Sequence, residues 1–399
     1  MMLKHLPMEE ARQAILNRIK PLESETLPSL EAVRHILGED IIAPHDLPPY
    51  RQAAMDGFAV SFKEKQGQGE KFLIKKILEA GGVPDFNLEP GEAAGVLTGG
   101  LIPQGTEAVI PQEDVSINEG HITVEQYPAG NNIRSQGEDF QSRSVIARKG
   151  TRINPGLIAI LTAFGFRQIK AIRRPKVAIL SLGKEIVPYD QDPAPDQVRD
   201  SNGPLLSSLV TLQSGLPSVT VSQSSPGKEL HSLVQQADMV VTIGGTADGS
   251  NDQVCDLLEN AGAEPIFQGY QVKPGGHTCA LVQDGKPVIM LSGNPVACFV
   301  GYYLLAYPVL RALQGQNSEL RRFPAVATSP YPKKGGPRRF LLGYALCSPQ
   351  GWRVAVLPAQ KSSMRRSLAD CNCLIDLPAG HPPVTPESEV SIIPILDLT

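Results

Sequence analysis

The residues best placed to do chemistry are acidic side chains set beside glycines where apolar runs end. Residues 240–252, VVTIGGTADGSND, show this most clearly. The apolar run Met239 to Ile243 empties into Gly244-Gly245, then Thr246, Asp248, Gly249 and Asp252 precede a helix-like segment. Glycines let backbone N–H groups approach a phosphate, a helix N-terminus adds partial positive charge, and carboxylates can hold a divalent cation against the anion. A Gly-Gly after a strand is also an ordinary tight turn, so the loop gains meaning only from what converges on it.

Two other apolar runs end in a similar way. KVAILSLG (176–183), with Ser181 near its end, leads into Gly183-Lys184-Glu185, and PVIMLSG leads into Ser292-Gly293-Asn294-Pro295. The latter reads as a turn with Asn294 as helix N-cap and Pro295 in the first turn. If these runs are parallel strands, the ends after 182, 243 and 291 share one edge, where α/β sheets bind ligands. Several carboxylates with glycine loops there suit Mg²⁺ bridging phosphate oxygens.

Smaller clusters have both a plain and a chemical reading. Asp56 before Gly57 is a lone carboxylate in an apolar stretch or an Asp-Gly turn. Thr98-Gly99-Gly100 could offer a hydroxyl and N–H groups to an anion, or simply end a strand. Glu138-Asp139 suits a solvated loop, Asp200-Ser201-Asn202 a helix cap, and Lys273-Pro274-Gly275-Gly276 a basic turn. The histidines are scattered, and His277 alone falls near the edge, where a surface role is the default; no Ser-His-Asp or Cys-His set is suggested.

The elements that must position these groups follow from pattern. After Arg173-Arg174-Pro175, continuous apolar runs alternate with helical ones (202–214, KELHSLVQQA, 252–261, 295–313), predicting a doubly wound parallel α/β domain. Short runs broken by Gly, Pro and Asn between 51 and 140 predict a β-rich domain, set off by the proline-rich hinge PHDLPPY (44–50). Two amphipathic helices, 8–20 and 28–38, are expected to open the chain, with Ala11, Ile15 and Ile19 on one face of the first. From about 318 onward, RRFLLGYAL, GWRVAVLPA, CLIDLP and EVSIIPIL predict a small barrel or sandwich.

Composition narrows the function. At 399 residues, roughly two to four domains are expected. A net charge of −4 with 20% charged residues indicates neither a nucleic-acid surface nor an acidic tail. Acidic residues interrupt MMLKHLPMEEARQAIL where a signal peptide would be apolar, so a cytoplasmic protein is expected. The apolar run 296–313 holds Pro308 and three tyrosines and reads as a buried helix rather than a membrane span. Six cysteines match no zinc spacing and read as reduced, mostly buried thiols.

Taken in order, these clusters resemble the molybdopterin molybdenumtransferase family, the bacterial MoeA proteins and the gephyrin E domain. PPYRQAAMDGFAV, LTGGLIPQGTEAVIPQED, NIRSQGEDF, LSLGKEI, DSN, TIGGTADGSND, VKPGG and LSGNPVACF follow in that family's order across essentially the whole chain. The resemblance implies four parts: an extended helical segment (1–44 with 141–173), a β-rich insert (45–140), a MogA-like α/β domain (174–316) and a C-terminal β-barrel (317–399). It also implies a homodimer, whose site lies between the α/β and barrel domains of one subunit and the insert of the other. The substrates would be adenylylated molybdopterin and molybdate, with Mg²⁺ required and AMP released. A MogA-like adenylyltransferase and recipient molybdoenzymes are the implied partners.

By the same resemblance Asp56, Thr98, Asp139, Glu185 and Asp252 surround cofactor, molybdate and metal. Asp56, Glu185 and Asp252 would be catalytic, the last two holding Mg²⁺. Lys273 and the 244–249 loop would hold the pterin and phosphate ends, with Ser362 and Ser363 entering from the barrel. The chain departs from the pattern at Thr246-Ala247-Asp248, at Gly276 (commonly lysine), at Ser292 (usually proline), and at Gln52-Ala53 and Phe58. Those departures motivate two alternatives, a non-catalytic scaffold paralogue and a tungstate-inserting enzyme.

Overall fold

The computed structural model describes residues 3–65, 67–223, 227–244, 259–260 and 262–395. Its largest sheet has seven strands in the order Leu3–Leu6, Glu264–Tyr270, Cys279–Gln283, Lys286–Leu291, Met239–Ile243, Lys176–Leu182, Leu216–Ser222. The last four run parallel, as the apolar runs of the first three of them predict; Leu216–Ser222, at the sheet's edge, mixes polar with apolar residues and buries only Ser222. Val177 and Ile179 enter the core on one face, and Ala178 and Leu180 enter the core on the other. The sheet is not wholly parallel, however: Cys279–Gln283 runs antiparallel to both neighbours. A Gly-Gly turn at one end (275–276) and Asp284-Gly285 at the other allow direct reversals where a parallel link needs a crossover.

The segment Pro295–Leu313 is helical throughout, with a π turn at Tyr302–Ala306 between two α-helical pieces. That turn sits just before Pro308, which has no N–H for the preceding helix. The segment is long and apolar enough to cross a membrane (mean hydropathy 1.6), yet 83% of it is buried inside the protein. It is a core helix.

The opening of the chain differs from the sequence expectation. Residues Met8–Leu16 form the first helix, with Ala11 and Ile15 buried, but Ile19 lies beyond its end. The expected helix at 28–38 is absent. A short 3₁₀ turn, Ser29–Glu31, separates strands Ser24–Pro28 and Ile36–Leu37, both paired with Gln168–Ile172. Arg34, at φ 71°, interrupts any helical path between them. Leu3–Leu6 adds a further strand to the α/β sheet beside Glu264–Tyr270. The segments before 44 and after 141 therefore meet chiefly through strands, including Ile41–Ile42 with Val145–Ala147.

Helix Pro155–Ala163 packs Leu157 and Leu161 against Ala32, Leu37 and Ile169. Asn154 caps it, accepting a hydrogen bond from Leu157 N at 2.8 Å. Replacing Asn154 with Ala should lower unfolding stability by about 1 kcal/mol, measured by urea denaturation.

Between these segments a six-stranded sheet holds Gly57–Val60 as a central strand, flanked by Glu92–Val96 and Ala108–Pro111. The strand needs glycine at 57, because a Cβ there would lie 2.0 Å from Ile110 O. The C-terminal strands Arg338–Ser348, Gly351–Val356, Phe323–Ala327, Glu389–Pro394 and Cys373–Leu377 pair in that order, and the last returns to the first. That closure makes a five-stranded barrel, without open edges. Arg338 binds Asp376 through Nε and Nη2 (2.7 and 2.5 Å) and Glu9 through Nη1 at 2.8 Å, fastening the barrel to the first helix.

Candidate functional site

Three strand ends meet at the carboxyl edge of the large sheet. Leu182, Ile243 and Leu291 end adjacent parallel strands, and Gly244 N donates to Leu291 O at 3.0 Å. Gly244 has φ 89°, and a Cβ on it would come within 2.5 Å of Leu182 O. Gly293 lies beside Gly244, where an added Cβ would stand 3.4 Å from Gly244 Cα. The loops expected to converge do so, and they touch through glycine backbone. Gly183 lies beneath Glu185, whose carboxylate oxygens stand 2.7 and 2.9 Å from where a Cβ would be. Glu185 is exposed and its carboxylate bonds to nothing among the described residues.

Asp200 braces this edge from below. Its Oδ2 accepts from Ser181 Oγ at 2.6 Å, and its Oδ1 accepts from Asn202 N and Gly203 N at 3.0 Å each. It thus caps helix Asn202–Leu212, as its sequence position predicts, and fixes the end of Lys176–Leu182 as well. Ser181 and Asp200 are both buried, so they shape the edge rather than face a ligand. Asn202, buried beside them, donates Nδ2 to Gly293 O at 2.7 Å, joining a second loop to the brace. Its Oδ1 has no partner among the described residues.

The start of helix Pro295–Gly301 corrects one expectation. Pro295 occupies the first turn and is buried, but the Asn294 side chain makes no cap bond. The barrel supplies the partner instead: Val296 N donates to Ser362 O at 2.9 Å. The barrel loop therefore enters the edge, although the hydroxyls of Ser362 and Ser363 make no hydrogen bond among the described residues. Arg365, which sequence reasoning passed over, donates Nε to Ser201 Oγ at 2.8 Å. It stands in no motif, and only the fold brings it to the Asp-Ser-Asn turn.

Lys273 is exposed at the end of Val272–Lys273, which pairs with barrel residues Arg338 and Arg339. Pro274 and Gly275 (φ 94°) make the turn, with Thr278 Oγ1 donating to Gly275 O at 2.9 Å. Gly276 has no room for a side chain, because a Cβ would lie 2.7 Å from Val272 O. The glycine is required by this turn.

Asp56 and Thr98, separate clusters in the sequence, are joined on the insert sheet. Thr98 donates both its N and its Oγ1 to Asp56 Oδ1 at 2.7 Å. The backbone donor first, then the hydroxyl, hold the exposed Asp56 carboxyl below the usual carboxylate range. The Thr98 donors read as an anion cradle are thus already engaged by Asp56. Gly99 N donates to Ala53 O at 2.8 Å, and Gln52–Ala53 pairs with Ile133–Arg134. Beside that ladder Asp139 lines a hollow of about 510 Å³ with Leu47, Pro48, Gln52, Arg134 and Glu138. Asp56, Thr98 and Gly99 therefore lie together on the insert, whereas Asp139 lines a separate hollow from the one that Thr98 and Gly99 line with Tyr50. Within one chain they lie on a different sheet, with separate cores, from Glu185 and Gly244.

Gly245, Thr246, Asp248, Gly249 and Asp252 lie outside the described residues. Among the described residues no three His, Cys, Asp or Glu side chains gather into a metal-binding group. A free carboxylate at Glu185 still fits Mg²⁺, which keeps waters and uses only one or two carboxylates when phosphates supply other ligands.

Three family descriptions match the chain in order. They are the MoeA N-terminal region (domain I and II) over residues 6–165, a probable molybdopterin binding domain over 178–312, and the MoeA C-terminal region (domain IV) over 324–395. A molybdopterin molybdenumtransferase of Staphylococcus aureus (strain Mu50) is 30% identical over 388 residues, covering 94% of this chain and 92% of its own. Its namesake in Staphylococcus epidermidis (strain RP62A) is 28% identical over 385 residues, again covering 94% of this chain and 92% of its own. The crystal structure of a molybdopterin biosynthesis MoeA protein from Pyrococcus horikoshii superposes with a TM-score of 0.82 at 27% identity, covering 98% of this chain and 99% of that one.

Proposed function

The chain belongs to the molybdopterin molybdenumtransferase (MoeA) family of molybdenum cofactor biosynthesis, and from that premise we propose that it inserts molybdate into adenylylated molybdopterin and releases AMP. The observation that supports this reading most is the meeting of the loops that begin at Gly183, Gly244 and Gly293 at one sheet edge, with the Glu185 carboxylate over Gly183 and without a partner among the described residues. Backbone without side chains lets a phosphate approach closely, and Lys273 adds a cation at the barrel side of the same edge.

The residues divide the work. Glu185 and Asp252 would hold Mg²⁺, which when bound supplies positive charge to the phosphate oxygens. Asp200 keeps Ser181, Asn202 and Gly203 rigid beneath the junction, so the donors need no reorganisation during reaction. Lys273, Gly275 and the barrel loop at Ser362–Ser363 orient the pterin side. Asp56, fixed as a carboxylate by Thr98, and Asp139 of the same insert would meet the edge of a second copy in a homodimer. That arrangement would unite the two groups of acids that a single chain keeps on different sheets. The proposed units are 1–44 with 141–173, 45–140, 174–316 and 317–399, in a cytoplasmic protein that receives its substrate from a MogA-like adenylyltransferase and serves molybdoenzymes.

The test is incubation of purified protein with adenylylated molybdopterin, Mg²⁺ and molybdate. AMP should appear only with all three, and chelation of Mg²⁺ should stop it. No AMP above background from folded protein contradicts the proposal, and a parallel arm with tungstate reads metal selectivity.

A further inference from the structure

Two basic side chains at the sheet edge, Lys184 and Arg365, have no assigned task, and among the described residues only Arg365 of the two is anchored there. Arg365 is exposed on the barrel loop, and its Nε donates to Ser201 Oγ at 2.8 Å. Among the described residues no hydrogen bond or ion pair occupies Nη1 or Nη2. Two contacts hold the loop that carries it to the α/β edge: Ser362 O accepts from Val296 N, and Arg365 itself grips the residue after Asp200. Asp200 in turn is buried and fixed by Ser181, Asn202 and Gly203. The guanidinium is therefore anchored at one end on a rigid brace, with its planar fork unspent.

Other cations are less well placed. No side chain can reach the edge from Gly276, whose Cβ position lies 2.7 Å from Val272 O. Arg338 is committed to Asp376 and Glu9. Lys361 and Arg366 are exposed on the same loop but have no anchor to the α/β edge. Lys273 offers a point charge, whereas a tetrahedral oxyanion is matched by the paired donors of an arginine.

We infer that Arg365 is a substrate-binding residue, its Nη groups gripping a tetrahedral oxyanion at the sheet edge while Ser201 holds its Nε. This deepens the proposed function and rests on it. The anion is either the phosphate of the adenylyl group, which carries one negative charge within the diphosphate linkage, or molybdate, which carries two; both present tetrahedral oxygens.

The experiment compares wild type with Arg365→Ala, Arg365→Lys and Ser201→Ala. Calorimetric titrations use AMP and sodium molybdate separately, beside the KM and kcat for adenylylated molybdopterin. Arg365→Ala should weaken one of the two anions by about 10- to 100-fold and raise KM more than it lowers kcat. Arg365→Lys keeps the charge without the fork and should restore only part of the affinity, and Ser201→Ala should show a smaller loss. Weakened AMP alone assigns the grip to phosphate, and weakened molybdate alone assigns it to the oxyanion substrate. Unchanged affinity for both anions in a variant with the wild-type unfolding midpoint overturns the inference, as does a wild type that binds neither. Wild-type AMP release separates this from the parent reading: release with an unaltered KM in Arg365→Ala sinks only the role of Arg365, whereas no release sinks the transferase proposal.

Discussion

Replacing Glu185 with Gln should lower molybdate-dependent AMP release about a hundredfold without moving the unfolding midpoint. The carboxylate is exposed, has no partner among the described residues, and rests above Gly183 at the loop junction. No ion pair or hydrogen bond among the described residues uses its charge, so a loss of activity reports on the ligand it would hold. The Mg²⁺ concentration giving half-maximal rate should rise in the same variant, because the amide is a poorer ligand for a hard cation. Steady-state rates over a Mg²⁺ series measure both effects. A Gln variant with wild-type rate and Mg²⁺ dependence would remove Glu185 from the site.

Replacing Asp200 with Ala should act differently, reducing stability by about 3 kcal/mol and turnover by about two orders of magnitude. The substitution strands Ser181 Oγ and the first N–H groups of helix Asn202–Leu212 in a buried place. It also releases the brace behind Ser201 and Gly293, so the loops at the edge lose their fixed spacing. Asp200→Asn should retain part of both properties, since its Oδ1 can still accept from the helix. Urea denaturation and AMP release measure the pair, and a stability change under about 1 kcal/mol for the Ala variant contradicts the bracing role.

The sequence carried the parallel core and the edge loops because both are local signals. Continuous apolar runs such as KVAILSLG need burial on two faces, and glycines after them mark the turns. Non-local pairings left no such trace. Leu3–Leu6 joins a sheet whose adjacent strand lies more than 250 residues away, and its alternation looks like any short terminal run. The segment 28–38 has helical periodicity, but the ladder from Gln168–Ile172 claims its backbone at both ends. Asn294 has the composition of an N-cap, yet the barrel loop reaches Val296 first. Of the candidate residues, Asp56 and Thr98 were legible one at a time, while the bond between them was not. Arg365 could not be found from spacing at all, because Ser201 comes within its reach only when barrel and α/β sheet are packed together.

Central to the proposed function is a homodimer in which Asp56 of one chain would complete the Glu185 edge of another. The direct measurement mixes two inactive variants, Asp56→Ala and Glu185→Ala, after denaturation and refolding together. If the site is shared, each mixed dimer regains one intact site, and AMP release should recover to about a quarter of wild type. Mixtures as inactive as either variant alone would contradict the account, since acids acting within one chain leave every site with one substitution.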